Sequence, residues 1–483
     1  MTAVLQHFDG QDENPFASLV SNQKLARFDR VVLESGAVLD NVPVGYKTWG
    51  HLNDARDNCL IICHAFTGSA DAEDWWGPLF GPGKAFDYSK YFIFCGNSLG
   101  SPYGSASACT NNPETGAIYG PEFPLVTVRD DVQVHKRIID ALDVKQIACV
   151  VGGSMGGMLV LEWAFFGSTF VKTLIPVATS ARASAWNISW GETQRQSIYC
   201  DPKYEDGYYT YDDPPVAGLG AARMSALLTY RSRNSFEMRF GRNVAKPCTQ
   251  PYPDKPESKT PSDEHWIAHN EGHSKRLSSR PARSSSSASS PVSRSSSFDG
   301  IMENSVSSLS NSASSIVPPR KAATQFSAQS YLRYQAQKFV KRFDANCYIS
   351  ITRKLDTHDI SRGRASSLHE ALAMIDQHAL VLGIESDGLF TFSEQEEIAS
   401  HMPNAKLDRI ISPEGHDGFL LEFGQMNDKI IGFQKKYLPE IMHARADQRI
   451  IVNGVISSTE ADHAVKPSTF GEVDDSPGAI TEW

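Results

Sequence analysis

The sequence predicts an α/β fold built on a mostly parallel β-sheet, with helices on both faces, and three observations carry this prediction. Short and nearly continuous apolar runs recur along the chain, as is typical of strands buried on both faces. Amphipathic patterns with helical spacing separate several of these runs, as expected where helices connect parallel strands. One apolar run, at residues 147–151, leads straight into a glycine-rich turn and a further helical pattern. The last feature also indicates where the chemistry lies.

The elements follow in order along the chain. Residues 1–25 are polar and weakly patterned, whereas 27–33 and 38–48 alternate apolar and polar residues and predict an antiparallel hairpin around Gly36. Strands buried on both faces are predicted at 58–64, 91–95, 147–151, 173–178, 380–384 and 407–411, and helices at 128–142 and 155–166.

A long insertion interrupts the predicted sheet. Residues 184–245 have a helical, polar-aromatic pattern that resumes at 326, which predicts a helical cap made of two parts. The residues between these parts are rich in Ser, Pro, Arg and Lys, with too few apolar residues for a core, so they are predicted to be disordered. The predicted organisation is an N-terminal segment (1–25), the core (26–183), the cap (184–245), a disordered Ser-rich insert (246–325), the closing part of the cap (326–376), the rest of the core (377–442) and a C-terminal tail (443–483).

The composition excludes several classes of protein. The 483 residues carry a formal net charge of −10, which argues against a general binder of nucleic acid or anionic membranes. The start of the chain has neither an apolar signal region nor an arginine-rich amphipathic pattern, and no apolar run approaches the ~18 residues that span a bilayer. The eight cysteines form no CxxC pair. We therefore expect a cytoplasmic protein without membrane or nucleic-acid partners.

The turn at Gly152-Gly153-Ser154-Met155-Gly156-Gly157 is the strongest chemical signal. A serine at the apex of a sharp strand-to-helix turn is exposed, and the flanking glycines let strand and helix approach closely. The first amides of the helix have no partner within it and can stabilise an oxyanion. Ser154 is therefore the predicted nucleophile and the Met155 amide a predicted oxyanion donor, although a glycine-rich turn can also serve packing alone.

A second stretch, Gly96-Asn97-Ser98-Leu99-Gly100, has the same spacing and also follows a strand-like run. The residues after it decide against a nucleophile, because Ser101-Pro102-Tyr103-Gly104-Ser105 cannot open a regular helix. Ser98 is therefore predicted to line a pocket.

Partners for Ser154 follow the last two predicted strands. Asp387 comes just after one strand and His416 just after the next, and the carboxyl ends of parallel strands share one edge of the sheet. Alone, Asp387 would suit an Asx-turn and His416 a surface loop. Together, in the order Ser, Asp, His, they predict a catalytic triad.

The loop after the first buried strand lies beside the predicted nucleophile turn. Main-chain amides near Ala65 and Phe66 could supply the second oxyanion donor. For the His64 side chain we favour a structural role, with the imidazole bonded to the backbone.

With these residues in view, the chain resembles the fungal homoserine O-acetyltransferases of the α/β-hydrolase superfamily, over roughly residues 26–245 and 326–440. The motifs that carry the resemblance are Tyr46-Lys47-Thr48-Trp49-Gly50, His64-Ala65-Phe66-Thr67-Gly68, Asn97-Ser98-Leu99-Gly100-Ser101, the Ser154 turn, Thr229-Tyr230-Arg231-Ser232 and Gly415-His416-Asp417. Phe66 stands where relatives often have leucine.

The resemblance implies an α/β-hydrolase fold with an inserted helical cap and the triad Ser154, Asp387 and His416. It also implies that Arg223 and Asp417 contact the amino-acid substrate, that acetyl-CoA is the co-substrate, and that the reaction serves methionine biosynthesis. The plainer alternatives are an ion pair on the helix surface for Arg223 and a turn cap for Asp417. Small-molecule substrates are the expected partners, without a bound cofactor or metal, and a homodimer is left open.

Other functions share this scaffold. The acceptor could be serine or deacetylcephalosporin C, the donor could carry a succinyl group, and water as acceptor would make an esterase. A catalytically inactive binding or scaffold protein is a further alternative. The complete triad argues against the inactive protein, and a site with one cation and one anion suits a zwitterion better than water.

Overall fold

The computed structural model describes residues 6–244, 260–273 and 325–447. Within these residues, one nine-stranded sheet has the order β1-β2-β3-β5-β4-β6-β7-β8-β9. The strands are β1 (Gln6–Phe8), β2 (Lys24–Val32), β3 (Val38–Trp49), β4 (Cys59–Cys63), β5 (Phe92–Gly96), β6 (Ile147–Gly153), β7 (Val171–Val177), β8 (His378–Ile384) and β9 (Ala405–Ile410). Pairing is antiparallel from β1 to β5 along this order and parallel from β5 to β9.

Helices connect most of the parallel strands, and a large group of them lies between β7 and β8. The α-helices are α1 (Ala72–Trp76), α2 (Val128–Ala141), α3 (Met155–Ala164), α4 (Ala185–Tyr199), α5 (Val216–Tyr230), α6 (Arg233–Arg239), α7 (Pro261–His269), α8 (Ser327–Phe339), α9 (Ala345–Asp356), α10 (Leu368–Ala373), α11 (Phe392–His401), α12 (Phe423–Tyr437) and α13 (Pro439–Met442). No helix of the described ranges is both long and apolar enough to cross a membrane.

Local sequence explains where the main elements begin. Every residue of β4, β5 and β6 is buried, as expected of apolar strands with helices on both faces. Helix α2 begins with a capping box, in which Thr127 and Asp130 satisfy each other's backbone amides. The predicted hairpin is confirmed as β2 and β3, with Gly36 at a φ of +85° in the turn.

The two ends of the sheet differ from what the sequence pattern indicates. The weakly patterned N-terminal segment contributes β1, which pairs with β2 although two of its three residues are polar and none is buried. The run at 407–411 was expected to be buried on both faces, yet β9 is an edge strand with only Ile410 buried, and Ile411 is 80% exposed. Apolar residues in a short run do not reveal whether a strand has one neighbour or two.

Helices α4, α5 and α6 lie within residues 184–245, and α8, α9 and α10 within 326–376, the two parts of the predicted cap. Helix α4 packs against both α5 and α9. The cap is joined to the core by a fully buried ion pair, in which Lys354 of α9 donates to Asp131 of α2 over 2.6 Å and to the Leu99 carbonyl over 2.7 Å. Burial is the main cause that raises the pKa of the Asp131 carboxyl, and the Lys354 ammonium opposes it.

The described residues between 242 and 327 belong to a unit separate from the rest of the chain. The disordered insert at 246–325 stays a prediction. Within it the structure describes α7, which has Thr260 as its N-cap, Pro261 in its first turn and acidic residues beside the positive end of the helix dipole. The rest of that prediction, like the predicted tail beyond residue 447, lies outside the described residues.

Candidate active site

Ser154 lies at the junction of β6 and α3 with a φ of +59° and a ψ of −126°. A non-glycine residue is strained at a positive φ, and such strain is maintained only where the surroundings enforce it. Two hydrogen bonds do so, since the Ser154 amide donates to the Val177 carbonyl (3.0 Å) and its carbonyl accepts from the Thr179 hydroxyl (2.7 Å). Ser154 therefore stands at the apex of a sharp strand-to-helix turn.

The glycines of this turn are required by close backbone contacts. A Cβ at Gly156 would lie 2.1 Å from the Cys63 carbonyl oxygen, and a Cβ at Gly152 would lie 2.5 Å from the Gly156 oxygen. Helix α3 can therefore approach the end of β4 only because these positions lack side chains. The Met155 amide lies in the first turn of α3, where helix amides have no partner within the helix.

Asp387 and His416 are brought together by the ends of β8 and β9. His416 Nδ1 lies 2.7 Å from Asp387 Oδ2, and both side chains are almost fully buried. The other oxygen of Asp387 accepts hydrogen bonds from the amides of Leu389 (2.8 Å) and Phe390 (3.0 Å). The carboxylate is thus fixed on one side by the backbone and on the other side by the imidazole.

Aromatic rings surround His416 and connect it to the serine turn. The ring centroids of Phe390 and Phe419 each lie 5.3 Å from that of the imidazole. The Phe419 ring also covers Gly153, where a Cβ would lie 2.5 Å from a ring carbon. Since Gly153 immediately precedes Ser154, this ring packs between the histidine loop and the serine turn.

The loop after β4 carries the Phe66 amide, the predicted second oxyanion donor. His64 is fully buried, with Nδ1 2.8 Å from the Ala65 carbonyl oxygen and Nε2 accepting from the Ser98 amide (3.0 Å). Burial lowers the pKa of His64 to about 4, so the ring is neutral. Its structural role is confirmed, and the bonds at both nitrogens fix the loop in front of Phe66. The role of the Phe66 amide stays a prediction.

Ser98 and Phe66 lie where loops meet the cap. Ser98 is fully buried in a loop that continues without a regular helix, as predicted. The Phe66 ring makes edge contacts with Tyr348 of α9 (centroids 4.7 Å apart) and with Phe343 (6.5 Å).

Arg223 is buried in the cap rather than part of a pair on the helix surface. Its guanidinium carbon lies 4.6 Å from the centre of the Phe339 ring and 5.6 Å from that of Tyr230. The Tyr230 ring in turn lies 6.1 Å from the His416 ring. The cation is therefore held between aromatic faces, one ring away from the predicted base.

Asp417 has a cationic partner that the sequence did not predict. Arg231, at the end of α5, places Nε 2.8 Å from Asp417 Oδ2 and also pairs with Glu414. The sequence motif could have indicated a role for Arg231, because the residue lies in Thr229-Tyr230-Arg231-Ser232, which carries part of the resemblance. Sequence reasoning gave it no role, since its partners lie far along the chain.

One group of metal-ligating side chains lies away from the triad, within the described ranges. Cys109, Asp344 and Cys347 are buried, and the two sulfur atoms are 3.6 Å apart. Asp344 caps α9 by accepting from the Cys347 amide, and its other oxygen accepts from the Tyr209 hydroxyl. Burial raises the pKa of the carboxyl and of both thiols, which favours the protonated groups over the deprotonated ligands that a metal requires.

The sheet order, the strained serine and the Asp–His pair at the strand ends define the class: this is an α/β-hydrolase-fold enzyme. A family model described as "alpha/beta hydrolase fold" matches residues 58–423. Two solved structures share the fold over 85% of this chain. They are a homoserine O-acetyltransferase from Bacillus anthracis (TM-score 0.65, 21% identity, 97% of that chain) and esterase E22 (TM-score 0.64, 22% identity, 99% of that chain).

Curated relatives narrow the class to one family. The homoserine O-acetyltransferases of Emericella nidulans and Schizosaccharomyces pombe are each 56% identical to this chain, over 100% and 98% of it and 99% and 96% of their own lengths. That of Ascobolus immersus is 54% identical over 98% of this chain and 96% of its own. The chain belongs to the family of homoserine O-acetyltransferases.

Proposed function

We propose that this enzyme transfers an acetyl group from acetyl-CoA to the hydroxyl of L-homoserine through an acetyl-enzyme formed on Ser154. The observation that carries the proposal is the 2.7 Å contact between His416 Nδ1 and Asp387 Oδ2, together with a strained serine at the start of a helix. This arrangement supports nucleophilic catalysis, and the names of the relatives support an acetyl group as the group transferred and homoserine as its acceptor.

The first half-reaction forms the acetyl-enzyme. Asp387 holds the proton on His416 Nδ1, so that Nε2 accepts the Ser154 proton as Oγ attacks the thioester carbon. The amides of Met155 and Phe66 stabilise the negative oxygen of the tetrahedral intermediate. The carbon–sulfur bond then breaks, and the imidazolium returns the proton to coenzyme A as it leaves.

The second half-reaction repeats these steps with the acceptor. The homoserine hydroxyl gives its proton to His416 and attacks the acetyl carbon, and the same amides stabilise the second oxyanion. The ester bond to Ser154 breaks, and the proton passes from His416 to Oγ. O-acetylhomoserine leaves and the free serine is restored.

Recognition of a free amino acid needs one cation and one anion near the nucleophile. Arg223 is proposed to bind the carboxylate through its planar guanidinium, and Asp417 to bind the ammonium group. The contact of Asp417 with Arg231 is compatible with this role, because an ionised carboxylate has about four acceptor positions.

Intact mass spectrometry tests the intermediate. Mixed with acetyl-CoA alone, the wild-type chain should gain one acetyl group, and Ser154→Ala should not. Ser98→Ala is the matched control, since Ser98 has the same glycine spacing without a helix after it, and it should gain the acetyl group. The opposite pattern in the two variants would refute the assignment.

Acceptor identity is tested by coenzyme A release. We expect fast steady-state release with homoserine and little with L-serine, deacetylcephalosporin C or no acceptor, and no release from succinyl-CoA. Release that does not depend on an acceptor would indicate an esterase. We also expect the gene to restore growth without methionine to a strain that lacks this activity, and a tagged chain to be cytoplasmic.

A further inference from the structure

The buried guanidinium of Arg231 joins the cap to the loop that carries His416. Its side chain is 2% exposed, and it pairs with Glu414, two residues before the histidine, and with Asp417, one residue after it. Arg239 of α6 approaches the outer oxygen of Glu414 more loosely, at 3.7 Å. One cation therefore pairs with loop residues on both sides of His416 in the chain.

The backbone around this ion pair is also tightly packed. Gly415 has a φ of +76°, and a Cβ there would lie 2.5 Å from the Ser232 amide nitrogen. The hydroxyls of Ser232 and Ser235 donate to the Pro413 carbonyl and the Glu414 carboxylate. The histidine loop is thus attached to the junction of α5 and α6, in addition to its own strand end.

We propose that Arg231 is a positioning residue for this reaction, which holds the His416 loop against the cap and balances the two carboxylates beside the imidazole. The inference rests on the proposed function, because it assigns His416 the role of the base. Arg231 does not touch the reacting atoms, but it determines the position of His416 and the charge around the imidazole.

The role of Arg231 can be measured because charged groups lie around the imidazole of His416. Asp387 approaches from the loop after β8, Glu414 and Asp417 lie on the histidine's own loop, and Tyr230 packs against the ring from α5, with Arg223 behind it. Arg231 and Arg239 supply the cations at the carboxylates. Removing Arg231 leaves two carboxylates less compensated, which stabilises the imidazolium form.

The experiment compares Arg231→Met, Arg231→Lys and Glu414→Gln with Arg195→Met as control. Arg195 is equally buried in the cap and also joins two carboxylates, Glu192 and Asp356, away from the histidine loop. The rate of acetylation by acetyl-CoA and the pH profile of kcat/KM for homoserine are measured for each, together with the melting temperature.

For Arg231→Met we expect acetylation to slow by roughly 10²-fold, the cost of a misplaced catalytic group, and the acidic limb of the profile to move to higher pH. Arg231→Lys should return the acidic limb to its wild-type pH but should not restore the full rate of acetylation. An ammonium group cannot bind two carboxylates as the planar guanidinium does. Glu414→Gln should move the limb to lower pH. Arg195→Met should change only the melting temperature.

Equal effects of Arg231→Met and Arg195→Met would overturn the proposal, as would a Glu414→Gln limb that stays in place or moves to higher pH. If Arg231→Met does not fold, the shift to lower pH expected of Glu414→Gln and the unshifted acidic limb expected of Arg231→Lys still test the proposal. Failure of the proposed function is separate, since it would show as a wild-type chain that acquires no acetyl group from acetyl-CoA.

Discussion

The imidazole of His416 depends on a carboxylate that cannot rotate. Asp387 uses one oxygen for two backbone amides and the other for the imidazole, so each oxygen has a defined task. A side chain in such a position determines the tautomer of its partner as well as its orientation. Replacing a single oxygen is therefore enough to test the arrangement.

Asp387→Asn is expected to fold normally and to lower kcat by roughly 10³- to 10⁴-fold. The amide oxygen of asparagine keeps the bonds from Leu389 and Phe390, so its NH₂ group faces His416 Nδ1 and forces the proton onto Nε2. Steady-state kinetics with a circular dichroism control measures the effect. A kcat within about threefold of wild type would mean that another group orients the imidazole, because general acid–base catalysis contributes far more than that.

Arg223→Ala and Asp417→Ala are expected to impair transfer to homoserine while leaving the first turnover intact. The amino acid is absent from the first half-reaction, so acetylation by acetyl-CoA should proceed, whereas KM for homoserine rises or kcat for transfer falls. Rapid-quench measurement of the burst separates the two steps. Loss of the burst to the same degree as transfer would place these residues in the coenzyme A site or in the structure.

At the scale of elements, the serine turn works because a helix and two strands meet without side chains between them. Helix α3 contacts β4, β6 and β7, and its closest approach to β4 is at Gly156. The same contact lies beside His64, whose bonds fix the loop for the second oxyanion donor. The spacing between α3 and β4 is therefore expected to affect both the stability of the fold and the catalytic activity.

Gly156→Ala is expected to lower the free energy of unfolding by about 1–3 kcal/mol and to reduce acetylation strongly. The new methyl group meets a backbone carbonyl, so α3 or the end of β4 must move. Gly432→Ala is the control, because Gly432 lies inside α12 with no atom within 4 Å of its Cβ position, and alanine should stabilise that helix by up to about 1 kcal/mol. Equal behaviour of the two variants in urea titrations would contradict this account.

Sequence patterns were sufficient for elements whose cause is local. The buried strands and helices α2 and α3 were predicted to within a few residues, since apolar periodicity and capping residues specify them. The convergence of Asp387 and His416 followed from topology, because parallel strands present their ends at one edge. Strand β1 was missed, since its pairing depends on the neighbouring edge of β2 and its own sequence carries no pattern.

At the scale of the whole molecule, the sequence patterns did not predict the contacts that hold the cap and the core together. Lys354 follows Arg353 near the end of a helix and reads as a surface lysine, yet it is fully buried against Asp131, 223 residues away. Arg231 and Asp417 are a second example. Long-range pairs of opposite charge have no periodic signal, so only the folded chain reveals them.

Lys354→Met is expected to lower the free energy of unfolding by about 3–5 kcal/mol, because Asp131 then stays buried without its cation. Thermal and urea unfolding measure the loss. Arg30→Gln is the control, since it breaks an exposed ion pair with Asp40 and should leave the melting temperature unchanged. A similar loss for both variants would mean that burial of the Lys354 pair is not the source of its effect.

The position of the cap between β7 and β8 also has a consequence for the growing chain. Strand β7 gains its neighbour only after about 200 further residues are made, which takes roughly 10–40 s at the usual rates of synthesis. During that time an apolar edge of the half-built sheet lacks its partner and can pair with other chains. Asp387 and His416 follow the cap in the sequence, so the nascent chain completes its triad only after the strand that covers this edge has been made.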